Sequence, residues 1–443
     1  MIHAAFTSNP EFKRNLWLSF STHRLIAMPA LLGLFLLAIA LHNPEKTVSN
    51  LYQSAITFFI FIVWLWGARN ANATIVDELR DKTWDQQRMS ALGPWAMTWG
   101  KLFGATAFNW YGGVICLLVM MFSGIADEQP YWLTDLLSLT FAGILLHAAL
   151  IALNLHTSQL EMRLIQRGGI GWIAIIFALI ALRSVVTGLI TNSDSVTWWN
   201  AEIESRQFLL GSLLLFAACA VFAAWRVMSN ALQVRTLPWA WPSFALILAV
   251  YFTGLFHSDG DTPLYMLGHV GLYIALLMSY ITLFTEPNTQ LNWNRLRLRQ
   301  QTGDWRGWLE HLPLWPTTLL LAFCFALLAT LSQSFWMAHS KLPDIFSLPF
   351  SLALMLLRDA AILLFFSFSA KTRQPAALAI LSLVVINLVL PLYCRIGGLD
   401  LLSYFFMPLD DKYGAVASLM VMLTHVAIAL GLVAWRLGKS RQP

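Results

Sequence analysis

The sequence predicts an all-α polytopic membrane protein of about twelve transmembrane helices, arranged as two parallel six-helix repeats. Three observations carry this. Only 12% of the 443 residues are charged, about half the share in a soluble domain, and the mean hydropathy is +0.63. Apolar runs long enough to cross a bilayer recur along the whole chain. Several features recur about 210 residues apart. Hydrocarbon offers no partner for backbone N–H and C=O groups, so the runs must be helical. The period-2 pattern of a membrane β-barrel is absent. A soluble globular enzyme is excluded on composition alone.

Met1 to Pro10 lacks a basic stretch followed directly by an apolar run and a small-residue cleavage site, so no removable signal peptide is expected. From Asn9 to Arg24, Phe12, Leu16 and Phe20 repeat at i, i+4, i+8, with Lys13, Arg14 and His23 off that stripe. This predicts a short amphipathic elbow helix within residues 1–24, lying in the headgroup plane. Twelve spans follow, at 25–42, 51–69, 102–124, 134–155, 170–192, 208–228, 237–257, 264–285, 313–333, 347–370, 376–396 and 414–436. With the N-terminus inside, most basic residues fall on the cytoplasmic side, among them Lys13, Arg14, Arg80, Lys82, Arg88, Lys101, Arg295, Arg297, Arg299 and Arg436. The outer segments are acidic, with Asp127, Glu128, Asp259, Asp261, Asp410 and Asp411. This bias puts both termini in the cytoplasm.

The halves read as copies of one unit. Span six ends in Ala224-Trp225-Arg226 and span twelve in Ala434-Trp435-Arg436, 210 residues on. Arg183 and Arg395 hold matching places near the outer ends of spans five and eleven. Glu78 after span two matches Glu286 after span eight. Six spans is an even number, so both copies keep one orientation and the expected pseudo-two-fold axis lies along the membrane normal. The expected halves are residues 25–230 and 231–443, each with a patterned cytoplasmic segment, at 75–101 and 286–312.

The segment from Ile75 to Thr106 is the most informative. Asp77 to Met89 is charged and free of Gly and Pro, which predicts a helix exposed to water or to a partner. Gly93-Pro94 breaks it, and Pro94 can start a second helix. An acidic residue after span two (Glu78), the cluster Thr83-Trp84-Asp85, the turn Gly93-Pro94-Trp95, and Gly100-Lys101-Leu102 at the head of span three follow one another here. With the opening Asn9-Pro10 and its basic elbow, this resembles the permease subunits of ATP-binding cassette (ABC) transporters of the second exporter type. Lys82 stands where that family usually has Gly, and the second segment has Glu286, Trp293 and a basic run but no Gly-Lys. The resemblance implies that the two segments are coupling helices gripped by a separate ABC ATPase, in two copies. Glu78, Thr83, Trp84, Asp85, Arg88, Gly100, Lys101, Glu286 and Trp293 are then the coupling residues, with Trp84 an apolar anchor. The chain itself holds no cofactor, and ATP and Mg are bound by the partner. The resemblance also implies short helices dipping into the outer leaflet between spans five and six, within Thr187 to Arg206 and Gly397 to Lys412.

Other constellations are weaker. Six residues separate Gly93 from Gly100-Lys101, and Leu102 follows. A phosphate-binding loop needs four residues there and a Ser or Thr after the Lys, so the chain is not expected to be an ATPase. Arg358 and Asp359 lie deep in span ten. Intramembrane charges usually face a bundle interior or a wet path, and neighbours on a helix point about 100° apart, so these two need not pair. They are read either as lining of the transport path or as structural partners of other helices. Arg183 and Arg395 either snorkel to headgroups or meet an anionic, lipid-like substrate. His147, His269 and His425 have no metal-ligand spacing and fit interhelical hydrogen bonding. The four cysteines lie in or beside apolar runs without CxxC spacing and read as buried thiols. Many of the 20 tryptophans sit at span ends, as an interfacial aromatic belt does.

The expected function is that of the membrane-spanning permease of an ABC exporter in a bacterial inner membrane, moving a substrate of lipid-like or amphipathic kind. Its partners would be the ATPase, membrane lipids and an additional membrane or periplasmic subunit, with no nucleic acid. The alternative is an ion-gradient-driven secondary transporter, also built from two six-helix halves, for which Asp359 is the only deep carboxylate.

Overall fold

The computed structural model describes residues 9–42, 44–90, 92–159, 195–234, 236–256, 262–336, 349–369, 374–408 and 415–439. Among them ten helices are long and apolar enough to cross a membrane. A further apolar helix, Ala240–Phe256, has 17 residues. The expected span at 170–192, with Arg183, lies outside the described residues. The chain divides into two units, one of residues 1–196 and 202–236 and the other of residues 197–201 and 237–443.

The first unit opens with α1 (Pro10–Ser19) and α2 (Thr22–His42). A long apolar run, Pro44–Arg80, follows. It consists of a short 3-10 turn (Pro44–Lys46), α3 (Thr47–Phe59), a π-helical stretch (Ile60–Gly67) and α4 (Ala68–Arg80). A π turn leaves carbonyls out of the regular ladder, and in an apolar interior these need other donors. Asn109 Nδ2 donates to the Ile62 carbonyl at 3.0 Å, and His147 Nε2 is 2.9 Å from the Val63 carbonyl. Two short helices, α5 (Trp84–Arg88) and α6 (Pro94–Trp99), and a second π stretch (Gly100–Gly104) lead into α7 (Ala107–Ala126). Next come α8 (Trp132–Gln159) and, after the hairpin below, α9 (Ser205–Ala231). One apolar core is formed around Phe59, Val63, Trp64, Met120 and Leu139. A second, around Ile75, Met97, Leu102, Ile151 and Met228, also takes in Trp84.

Residues 195–204 are not short helices. They form a two-stranded hairpin, β1 (Ser195–Trp198) with β2 (Ala201–Glu204). Val196, Thr197 and Trp198 favour extended backbone. The two-residue loop Trp199-Asn200 has φ of 52° and 60°, as the tight turn that matches strand twist requires.

The second unit contains α10 (Ala240–Phe256), α11 (Pro263–Thr285), two shorter polar helices α12 (Gln290–Gln301) and α13 (Trp305–His311), and α14 (Leu314–Trp336). Then come α15 (Pro349–Ser367), α16 (Pro375–Val384), a third π stretch (Val385–Val389), α17 (Leu390–Ile396), α18 (Asp400–Phe406) and α19 (Ala415–Lys439). Leu272, Ala275, Phe325, Leu356 and Ala360 are central to its core. Gly268 and Gly271 let α11 press on α14, since a Cβ at either would meet Ala329 or Phe325 at 2.5–2.6 Å.

Candidate functional site

The charged residues around Glu78 build a site where α1, the end of α4 and the head of the third span meet. Asn9 caps α1, its Oδ1 accepting the Glu11 and Phe12 N–H groups at 3.0 and 3.3 Å, with Pro10 in the first turn. Asn9 Nδ2 also reaches the Ala96 carbonyl at 2.7 Å. α1 crosses the π stretch so closely that Gly100 and Gly104 must be glycines. A Cβ on Gly100 would lie 2.6 Å from Glu11 Cγ, and one on Gly104 2.9 Å from Asn15 Cβ. This is a small-xxx-small crossing. Asn15 seals it, donating to the Gly100 carbonyl at 3.2 Å and to Glu11 Oε1 at 3.0 Å.

Lys101, fully buried, extends into this junction. Its Nζ lies 2.6 Å from Glu78 Oε2 and 3.2 Å from Glu11 Oε1. Arg14 Nη2 bridges the same two carboxylates at 3.1 Å from Glu11 and 2.8 Å from Glu78. Gln87 Nε2 donates to Glu78 Oε1. Two cations therefore balance two carboxylates, which is what makes buried charge tolerable. The Trp84 ring roofs the cluster, with Lys101 Nζ 5.6 Å from its centroid.

Two expectations need correcting here. Asp77 to Met89 is not one helix: α4 ends at Arg80, Lys82 takes a φ of 56°, and α5 starts at Trp84. The turn lets Trp84 fold back over Lys101. Trp84 is accordingly buried, at 8% exposure, and is not an outward apolar anchor. Of the coupling residues, Glu78, Trp84, Gly100 and Lys101 face inward, whereas Thr83, Asp85 and Arg88 are exposed together with Met89. Beside the cluster, Trp225 of α9, Trp95 and Trp99 of α6 and Phe103 form a continuous ring stack, with centroids 5.1, 6.2 and 5.0 Å apart. The stack anchors α6 to α9.

In the second unit, Glu286 has a comparable position but a different partner. Its two oxygens accept the Leu314 N–H at 3.1 and 2.9 Å, at the start of α14. The helix N-terminus does for Glu286 what Lys101 does for Glu78. Burial nevertheless pushes the Glu286 carboxyl up to about 7, against the backbone donors of Leu314 and Trp315. Asn288 Oδ1 accepts Trp315 Nε1 at 3.1 Å, and Trp293 stands 6.1 Å from Trp315, ring to ring.

Arg358 and Asp359, both buried, pair with each other, at 2.7 Å between Nη2 and Oδ1. The 100° between neighbouring positions is overcome by the length of the arginine, which bends back to the nearest anion. Tyr280 donates to the other Asp359 oxygen at 2.6 Å, and Asn387, in the third π stretch, accepts from Arg358 at 2.7 Å. Arg395 is exposed at the end of α17. His269 bonds the Tyr265 carbonyl of its own helix, and His425 packs edge-on against Phe405. Of the cysteines, Cys116 and Cys394 are buried, Cys219 half-buried and Cys324 exposed.

Glu11, Arg14 and Asn15 were missed as site residues. The available signal was their shared face on α1 at i, i+3 and i+4 spacing. Asp135 was missed too; near the start of α8 it binds Arg206 Nη1 at 2.9 Å and the Tyr52 hydroxyl at 2.9 Å.

Comparison of the chain with protein-family models, with curated proteins and with solved structures finds no match to any of them.

Proposed function

We propose that this chain is the membrane-spanning permease of an ATP-driven exporter, worked by a separate ATPase that grips the cytoplasmic surface around α5. One observation carries the reading. The exposed turn formed by Thr83, Asp85, Arg88 and Met89 stands directly over the ion cluster that ties α4, α1 and the head of the third span together. A force on that turn reaches three membrane elements through short, buried, charge-paired contacts, not through a flexible loop. ATP and Mg belong to the partner in this reading. Between Gly93 and Lys101 the chain is a helix, and Lys101 is engaged by carboxylates, so neither is free to cradle phosphate. The ion-gradient alternative is less well supported, because Asp359 is already held by Arg358 and Tyr280.

The test is co-purification with a candidate ATPase, followed by ATPase turnover in lipid. Met89→Glu with Asp85→Lys alters only exposed side chains, so membrane expression should be normal. Loss of an apolar interface anchor costs on the order of 2 kcal/mol, about thirtyfold in affinity. Retention of full binding and turnover by this double variant would overturn the proposal.

A further inference from the structure

The cytoplasmic segment of the second unit carries a surface unlike that around α5. Leu296 faces inward on α12, and the opposite side presents Leu291 and Leu298, each close to 60% exposed. At 100° per residue those leucines lie side by side, with Arg295 on one flank and Arg297 on the other. Trp305, at the start of α13, is equally exposed. All three carboxylates of residues 286–312 are already engaged. Asp304 pairs with Arg299 at 3.3 Å, Glu310 with Arg306 at 3.2 Å, and Glu286 with the α14 N-terminus. Among the described residues Arg295 and Arg297 form no ion pair, so the net charge of this face is positive. The segment around α5, by contrast, exposes Asp77, Asp81 and Asp85 alongside Arg80, Lys82 and Arg88, so its surface charge is balanced.

The segment also cannot travel far. Gln290 follows the end of α11 by five residues, and α13 ends three residues before α14 begins. At about 3.5 Å per residue these tethers reach roughly 17 and 10 Å, which keeps α12 and α13 at the bilayer surface. We infer that this face of α12 and α13 docks on anionic lipid. Leu291, Leu298 and Trp305 enter the boundary between headgroups and chains, while Arg295 and Arg297 snorkel to phosphates. The ATPase then meets the first unit's segment, and the second unit's segment is a lipid-held counterpart. The docking itself does not depend on the chain being an exporter.

The experiment places a bimane fluorophore at Leu298→Cys in a full-length chain whose four cysteines are replaced, reconstituted without ATPase in nanodiscs. A spin-labelled phospholipid serves as quencher, and the same probe at Asp85→Cys is the solvated control. In phosphatidylglycerol-containing discs the probe at 298 should be quenched well above the control. Each arginine near an anionic surface is worth about fivefold in partitioning. Arg295→Gln with Arg297→Gln, or discs of phosphatidylcholine alone, should therefore return the probe toward the control level. Quenching at 298 that ignores both charge changes would overturn the role of the arginines. No quenching above the control, with the probe shielded only after ATPase is added, would overturn the inference and assign the face to a protein partner. That last result would leave the exporter reading intact, and loss of ATPase binding in the α5 variant is measured independently.

Discussion

Replacing Lys101 by Met removes the buried ammonium between Glu11 and Glu78 while keeping most of the side-chain volume. Among the described residues Glu11 and Glu78 are then left with Arg14 as their cation, and its side chain is 42% exposed. Breaking a buried pair by removing one partner costs about 3–5 kcal/mol, because the other charge stays buried and uncompensated. Arg14 offsets part of this, so a loss of about 3 kcal/mol is expected, roughly a hundredfold in the docked population of α1. The cost should fall on α1 and not on the unit as a whole, because Lys101 secures α1 only at this junction. Hydrogen exchange followed by mass spectrometry on the detergent-solubilised chain measures it directly: amides of Pro10–Ser19 should exchange about a hundredfold faster, with the apolar core around Phe59 and Val63 unchanged. Glu78→Gln in the Lys101→Met background removes one stranded carboxylate and should restore part of the protection. Wild-type exchange of α1 in Lys101→Met, or no recovery in the double variant, would refute the charge-balance argument.

Gly100→Leu drives a side chain into Glu11 and the backbone of Phe12 and should detach α1 as fully as Lys101→Met; amide exchange of α1 at the wild-type rate in this variant would show that the close crossing is not needed. Glu286 has a raised folded pKa, so its neutral form favours the fold: the stability it contributes is complete below about 4.5 and is lost as pH rises through about 7. Amide protection of α12 and α13 should therefore fall across that interval, and Glu286→Gln should flatten the dependence; an unchanged pH profile in the variant would show that another group titrates.

The spans were legible because hydrocarbon forces a one-dimensional signal onto the chain, and runs such as 264–285 and 376–396 match Pro263–Thr285 and Pro375–Ile396 closely. Glu78 and Gly100-Lys101 stood out by type and spacing. What they do was not legible, since Glu11 lies 90 residues from Lys101 and nothing local announces that pairing. Trp84 was misread for the same reason: charged neighbours suggest a water-facing helix, yet one left-handed residue, Lys82, turns the indole inward. The three π stretches among the described residues have no compositional signature. For the stretch Ile60–Gly67 the trace in sequence is a polar residue on each of two neighbouring spans, Asn109 and His147, which meet carbonyls that a regular helix would not release.

The ring stack of Trp225, Trp95, Trp99 and Phe103 has an optical consequence. Indole rings 5.1 Å apart with their planes inclined by 15°, as in Trp225 and Trp95, bring their in-plane transition dipoles close enough to mix their excited states. Such mixing produces a paired positive and negative band in ultraviolet circular dichroism that isolated indoles do not give. Only 3 of the chain's 20 tryptophans belong to this stack, so most of the others contribute background. The protein thus carries an unlabelled spectroscopic gauge of how α6 is seated on α9. Trp95→Phe should remove the contribution of this stack to the paired band, leaving that of other close pairs such as Trp293 and Trp315, and any movement of α6 should modulate it in real time.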